Sequence, residues 1–356
     1  MKVIDLTSHA ADRAVLLDPS PIYDLLAALF VVENWDPERG FEVERRWVQE
    51  ARAALGGELR DDLRLFVRER GFLLGLCAFL AGRRGVGVPE FLKLLAAVPP
   101  RELIERLLTA PRTARAAGPL LREALRTRRM PAVEAFLAAY PEEFDANRVR
   151  TMITLPPAEV QHRLLRLLRT FYGKVYAQEE PRVAPLLRAD VEAKQAQART
   201  LPPDELVERA TGGIAVGVDP EISRIVLAPS FFSRPYNLIA EYPGVRLFVY
   251  PVDLDAADPQ AQARELARVF KAIGDDTRLR ILQMLAEREM YLQEIANRLG
   301  VSHVTAIHHL ALLRAAHLVR AVERSGLKYY RLRPEAVAQV GGRLLELVGG
   351  AQVGAR

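Results

Sequence analysis

Cysteine is what this sequence most lacks: one, Cys77, in 356 residues. A lone thiol excludes an intramolecular disulfide, a cysteine-based zinc site and an iron–sulfur cluster, and its apolar setting in residues 71–81 reads as an inert core thiol. That cysteine usage points to the cytoplasm. Long apolar runs are missing as well. The longest, near residues 72–81, falls short of a bilayer span, and the opening residues carry acidic groups with no apolar core of signal-peptide length. Neither export nor contact with a membrane is expected. Histidine numbers six, and His9 and His162 stand without a nucleophile partner, so no hydrolase triad can be assembled. Glu142, Glu143 and Asp145 read as helix-start charges. The stretch 211–218, TGGIAVGV, lacks the Lys-Ser/Thr of a P-loop and the G-x-G-x-x-G spacing, and reads as a loop entering a strand. No catalytic residue, cofactor or metal site is expected, and no enzymatic activity.

What is present is a chain of globular composition, 50% hydrophobic and 27% charged. Its net charge of +5 is unevenly placed. Residues 1–257 carry 35 basic and 35 acidic side chains, whereas residues 314–333 alone carry six basic and one acidic. A short basic segment on an otherwise balanced protein suggests a docking surface for a polyanion. Arg163, Arg166, Arg169 and Lys174 form a second basic group, which reads as the solvated face of a core helix.

From about residue 22 to 210 apolar residues recur three and four apart, as in Leu164, Leu165, Leu167, Leu168 and Phe171. Prolines divide this stretch into helix-sized pieces, several standing where a first helical turn tolerates them. β-Branched and aromatic residues gather at 222–227 and 245–252, around the turn Tyr242-Pro243-Gly244, and are expected to pair as strands on the edge of the helical domain; residues 3–6 suggest another strand. A polar, Ala-rich segment at 253–262 marks the boundary. The expected fold is mainly α, with a large helical N-terminal domain and a few strands over 1–257, then a smaller domain over 258–356.

That second domain carries the information. Residues 294–299 read as a short helix, Gly300 as the left-handed residue that ends it, and Ser302 as the cap of the next helix. Ile295, Ala296, Ala306, Leu310 and Leu313 supply the buried faces, which leaves His303, Thr305 and His308 outward as short polar groups able to approach base edges. His309 shares the face of Leu310 and Leu313 and is expected to be packed. Residues 318–323 and 328–332 alternate like strands about Ser325-Gly326, a hairpin holding most of the basic excess. A helix-turn-helix followed by a basic hairpin is a winged helix, with the second helix for the major groove and the wing for phosphates.

The stretch 269–285, VFKAIGDDTRLRILQML, with the His309-Leu310 pair and the YYRL that closes the wing, resembles the ArsR-type winged-helix transcriptional regulators over roughly residues 263–348. The resemblance implies a homodimer on a palindromic operator in double-stranded DNA, with the helices around 266–271 and 335–347 building the interface. It also implies DNA contacts from Ser302, His303, Thr305, His308, Arg324 and Lys328. Two departures matter. The regions where family members hold metals read MYLQEIA and PEAVAQVGGRLLELVG, without cysteine, aspartate or histidine, so the usual metal sensing is not expected. Ile307 replaces a small polar residue. The N-terminal domain is left three roles: to modulate DNA binding, oligomerise the protein, or receive a small-molecule effector. The rival is an enzyme or interaction module localised by the winged helix.

Overall fold

The computed structural model describes residues 14–36, 41–57, 59–67, 72–80, 83, 85–109, 116–140, 145–216, 219–253, 261–324 and 327–349. The chain divides into two compact units, one of residues 12–192 and 220–252, the other including residues 193–219 and 253–356.

In chain order, β1 (Ala14–Leu17) and α1 (Pro21–Asn34) are followed by α2 (Arg45–Leu55), α3 (Arg60–Val67) and α4 (Phe72–Gly75), which runs into a 3-10 turn at Leu76–Leu80. Then come α5 (Val88–Ala97), α6 (Pro100–Leu108), α7 (Gly118–Thr127), α8 (Met130–Ala139), α9 (Ala146–Thr154) and α10 (Pro157–Phe171). A π-helical turn, Tyr172–Tyr176, leads into α11 (Ala177–Gln197). Proline stands in the first turn of α1, α5, α6, α7, α8 and α10, where its missing N–H has no intrahelical partner to lose. Pro181 and Pro185 instead lie inside α11. The chain continues through α12 (Pro203–Ala210) and β2 (Ile214–Ala215), then β3 (Ile222–Ser230), β4 (Leu238–Tyr242) and β5 (Gly244–Pro251).

The first unit's sheet has the order β1-β3-β5-β4, with β1 and β5 parallel to β3 and β4 antiparallel to β5. This corrects the expected edge placement. β3 and β5 are the two central strands, and their continuous apolar runs are buried, as parallel strands covered on both faces require. The strands β1 and β4 were not anticipated, and the one expected at residues 3–6 lies outside the described residues. α1 packs on β3 and is apolar on nearly every side, the mark of a helix buried all round. Its one carboxylate in the buried stretch, Asp24, is fully buried and accepts hydrogen bonds from Ser230 Oγ (2.6 Å), Tyr176 Oη (2.9 Å) and the Phe231 and Phe232 amides (2.7 and 3.1 Å). The basic face of α10 is not simply solvated: Arg163 and Arg166 clamp the buried Asp62 at 2.6 and 2.5 Å. Cys77 is buried, and burial pushes its thiol far up from the ordinary range.

The second unit adds α13 (Ala261–Ile273), α14 (Asp276–Glu287), β6 (Met290–Tyr291), α15 (Leu292–Leu299), α16 (His303–Ala315), β7 (Val319–Arg324), β8 (Leu327–Leu332) and α17 (Pro334–Leu347). Ile281, Leu285, Met290, Ile295, Leu310, Leu313, Leu318 and Val319 form its core. Its sheet has the order β2-β7-β8-β6. The antiparallel pair β7–β8 is the expected hairpin, while the turn at Ser325-Gly326 lies outside the described residues. β2 was not expected here. Residues 193–219, which precede the expected cut at 257/258 by some forty residues, group with the winged helix, and Ile214 and Ala215 pair in parallel with Ala321 and Val322.

Candidate nucleic-acid interface

The turn between α15 and α16 is built by two local devices. Gly300 stands at φ 68°, where a glycine ends a helix without a Cβ clash, and the Ser302 hydroxyl caps α16 by accepting from the Thr305 amide at 3.1 Å. Ile295, Ala296, Ala306, Leu310 and Leu313 are all buried, so α16 is fixed against α15 by the residue types read from the sequence. Ser302, His303 and Thr305 are exposed together at the N-terminal end of α16, where backbone N–H groups and the helix dipole favour phosphate. The Ser302 and Thr305 hydroxyls also lie 2.8 Å apart. His308, further along the same helix, is half-buried.

His309 packs inward. Its Nδ1 lies 3.7 Å from Asp275, which caps α14 by accepting from the Arg278 amide at 2.9 Å. Burial lowers the imidazole pKa; the Asp275 carboxylate opposes that shift and Arg278 adds to it.

The basic surplus of residues 314–333 separates along the hairpin. At the wing's base, Arg320 faces Glu208 of α12 at 3.7 Å and Arg333 reaches Glu335 at 3.3 Å, so both have carboxylate partners. Arg331 is exposed. Arg324 and Lys328 lie on the strand residues nearest the tip, Arg324 opposite Leu327 and Lys328 opposite Glu323 in the ladder.

The Glu208–Arg320 pair was missed because it joins residues 112 positions apart. So was the close seat of Gly212, at φ +67°, where a Cβ would stand 3.0 Å from His317 Cε1. The paired glycines of TGGIAVGV were the available signal, since consecutive glycines ahead of a strand mark a close backbone approach. Among the described residues no group of three or more His, Cys, Asp or Glu is placed to hold a metal ion, and no helix is long and apolar enough to cross a membrane.

The family described as "Bacterial regulatory protein, arsR family" matches residues 275–321. Over 82 residues the chain is 38% identical to the HTH-type transcriptional regulator KmtR of Mycobacterium tuberculosis, covering 23% of this chain and 63% of that protein. It is 39% identical over 77 residues to the cadmium resistance transcriptional regulatory protein CadC homolog of Staphylococcus aureus, covering 21% and 64%. Against the arsenic resistance transcriptional regulator ArsR1 of Pseudomonas putida it is 34% identical over 100 residues, 27% of this chain and 78% of that one. The chain therefore spans just under two thirds of the first two relatives and over three quarters of the third. Through this C-terminal region the chain belongs to the arsR family of bacterial regulatory proteins.

Proposed function

We propose that the protein is a sequence-specific DNA-binding transcriptional regulator, with two copies meeting a palindromic operator. The observation that carries this reading is the exposed N-terminal end of α16, with Ser302, His303 and Thr305 clustered on a helix that α15 holds rigidly. In this reading α16 enters the major groove, where His303, Thr305 and His308 meet base edges, while Ser302 and the wing residues Arg324 and Lys328 meet phosphates and set register. The ion-paired Arg320 and Arg333 contribute less, since each already has a carboxylate beside it.

The N-terminal region modulates binding through the segment that carries α12 and β2. That segment pairs with the wing strand β7, and the chain on either side of it belongs to the first unit. Such a strap links the wing strand to the chain of the first unit through covalent continuity alone.

The test is fluorescence anisotropy on operator DNA across a salt series. Arg324→Ala with Lys328→Ala is expected to weaken binding on all sequences and to flatten the slope of log affinity against log salt by about 0.9 for each phosphate that is no longer neutralised. Changes at His303 or Thr305 are expected to relax sequence preference and leave that slope in place. An unchanged slope in the wing variant overturns the phosphate assignment.

A further inference from the structure

A cavity of about 260 Å3 opens between α13, the corner joining α16 to β7, and α17. Leu266, Val269, Leu318 and Val340 contribute a small apolar floor, and Glu265, His317, Arg333, Gln339 and Arg343 give it a polar rim that makes up most of its lining. The volume lies below the roughly 300–1,000 Å3 of drug-sized sites, so its occupant is small.

The rim favours an anion. The two lining guanidiniums, Arg333 and Arg343, are each paired with one carboxylate, Glu335 and Glu265, and Arg268 supplies the positive excess by adding to the field at His317. Arg343 is ion-paired with Glu265, which ties α17 to α13, and Arg333 reaches out to the exposed Glu335. A guanidinium presents five donors in a planar fork that fits a carboxylate bidentately.

His317 is the unusual residue of the rim. It follows the end of α16 at φ 57°, a conformation that helix ends usually assign to Gly or Asn, and its ring lies beneath Gly212 of the β2 segment. Backbone of this kind at a non-glycine residue clusters at ligand clamps and switches. His317 thus stands between the cavity and the strap that holds the wing.

We propose that this cavity binds a small organic carboxylate, with Arg333 and Arg343 gripping the carboxylate and the apolar floor taking the rest of the molecule, and that it is the effector site of the winged helix. The occupant competes with Glu265 for Arg343 and so loosens α13 from α17. Ala336, Val340 and Arg343 line the cavity, whereas Val337, Leu344 and Val348 lie about 100° round the same helix, exposed. An occupant therefore presses on α17 from beside the face assigned to the second copy. The effector role rests on the DNA-binding reading; the binding site does not.

Benzoate, titrated calorimetrically into the full chain without DNA, tests the site, with inorganic phosphate as a second arm. Saturable benzoate binding is expected, weakened at least about tenfold by Arg333→Gln, which removes a charge-assisted bond, and abolished by Val340→Trp, which fills the floor. Arg333 is at the rim, so its variant remains a test if Val340→Trp does not fold. No saturable benzoate binding, or binding indifferent to Arg333→Gln, overturns the site, and phosphate bound more tightly than benzoate overturns the organic carboxylate. Benzoate is expected to change operator affinity in the anisotropy assay; bound benzoate with unchanged affinity overturns the effector role. Benzoate binding as described by a chain that never binds DNA supports the cavity and removes the DNA-binding reading instead.

Discussion

Asp24 is a carboxyl group without solvent, met by four donors, three from the consecutive residues 230–232 at the end of β3 and one from Tyr176. Burial raises its pKa, and the hydrogen bonds from Ser230, Phe232, Tyr176 and Phe231 oppose that shift. Asp24→Asn puts an NH2 group where an acceptor stood and leaves at least one buried donor unanswered, at a cost of about 3 kcal/mol. Calorimetry should show the first unit melting earlier while the winged helix keeps its transition. In the second unit the informative residues are His309 and His317, whose pKa values burial holds below the ordinary 6.5. An imidazole depressed in the folded state binds fewer protons there than when unfolded, so stability is complete above about pH 6.5 and falls as pH drops towards the depressed values. The winged-helix transition is expected to move down between about pH 7 and pH 5. His317→Asn keeps a side chain that tolerates positive φ and removes the titration, so the same scan on this variant should be flatter.

At the scale of elements, the strap from α12 to β2 is held by local chemistry. Thr211 Oγ1 donates to the Val207 carbonyl at 2.7 Å and accepts from the Ile214 amide at 3.1 Å, while Gly212 and Gly213 take positive φ and let the Ala321 amide reach the Gly213 carbonyl at 3.1 Å. Gly212→Val collides with the His317 ring and strains the backbone, and is expected to cost about 2 kcal/mol. Hydrogen exchange should find the Ala321 amide less protected and the core of α16 nearly unchanged; equal loosening of both would mean the strap is part of the core. By contrast Gly342, inside α17 with open space about it and turned away from the face of Val337, Leu344 and Val348, is expected to accept alanine with a gain of about 1 kcal/mol. These elements also show what the sequence discloses. The helix-turn-helix was legible because its determinants are local: Gly300 and Ser302 fix a turn through their own dihedrals and side chains, and the buried stripe of α16 has a helical period. The strap was not, because Ile214 and Ala215 are too short a strand to show alternation and find their partner 107 positions later. The central strands β3 and β5 were recognised as strands but set at the edge of the domain, since composition reveals a buried strand without naming its neighbours. Asp24 went unremarked, although a lone acid in the apolar run of α1 is itself a signal, whereas Asp62 stands beside Asp61 in a charged helix start and gives no such signal.

For the whole molecule the open question of assembly falls on α13 and α17. α17 has no fully buried residue, and Leu344, Leu345, Leu347 and Val348 are 37–67% exposed, with Val337 on the same helix and Phe270 on α13 also bare. Exposed apolar residues gathered on one helix of a small domain mark a contact surface, and self-association of the winged helix is the contact that the proposed palindromic operator would call for, because two-fold symmetry in DNA is met by two-fold symmetry in the protein. A monomer would carry one recognition helix and half the phosphate contacts, so failure to assemble should reduce affinity and the salt slope together. Leu344→Glu with Val348→Glu places two carboxylates on this face without touching the core, so the helical content of the chain should be retained. Sedimentation velocity is expected to show the variant as a monomer at concentrations where the parent chain is a dimer, and anisotropy should show its operator affinity fall while its weak binding to a single half-site persists. A variant that still dimerises would place the contact elsewhere on the chain, and one that binds the full operator undiminished would show that α16 and its wing recognise DNA without a second copy.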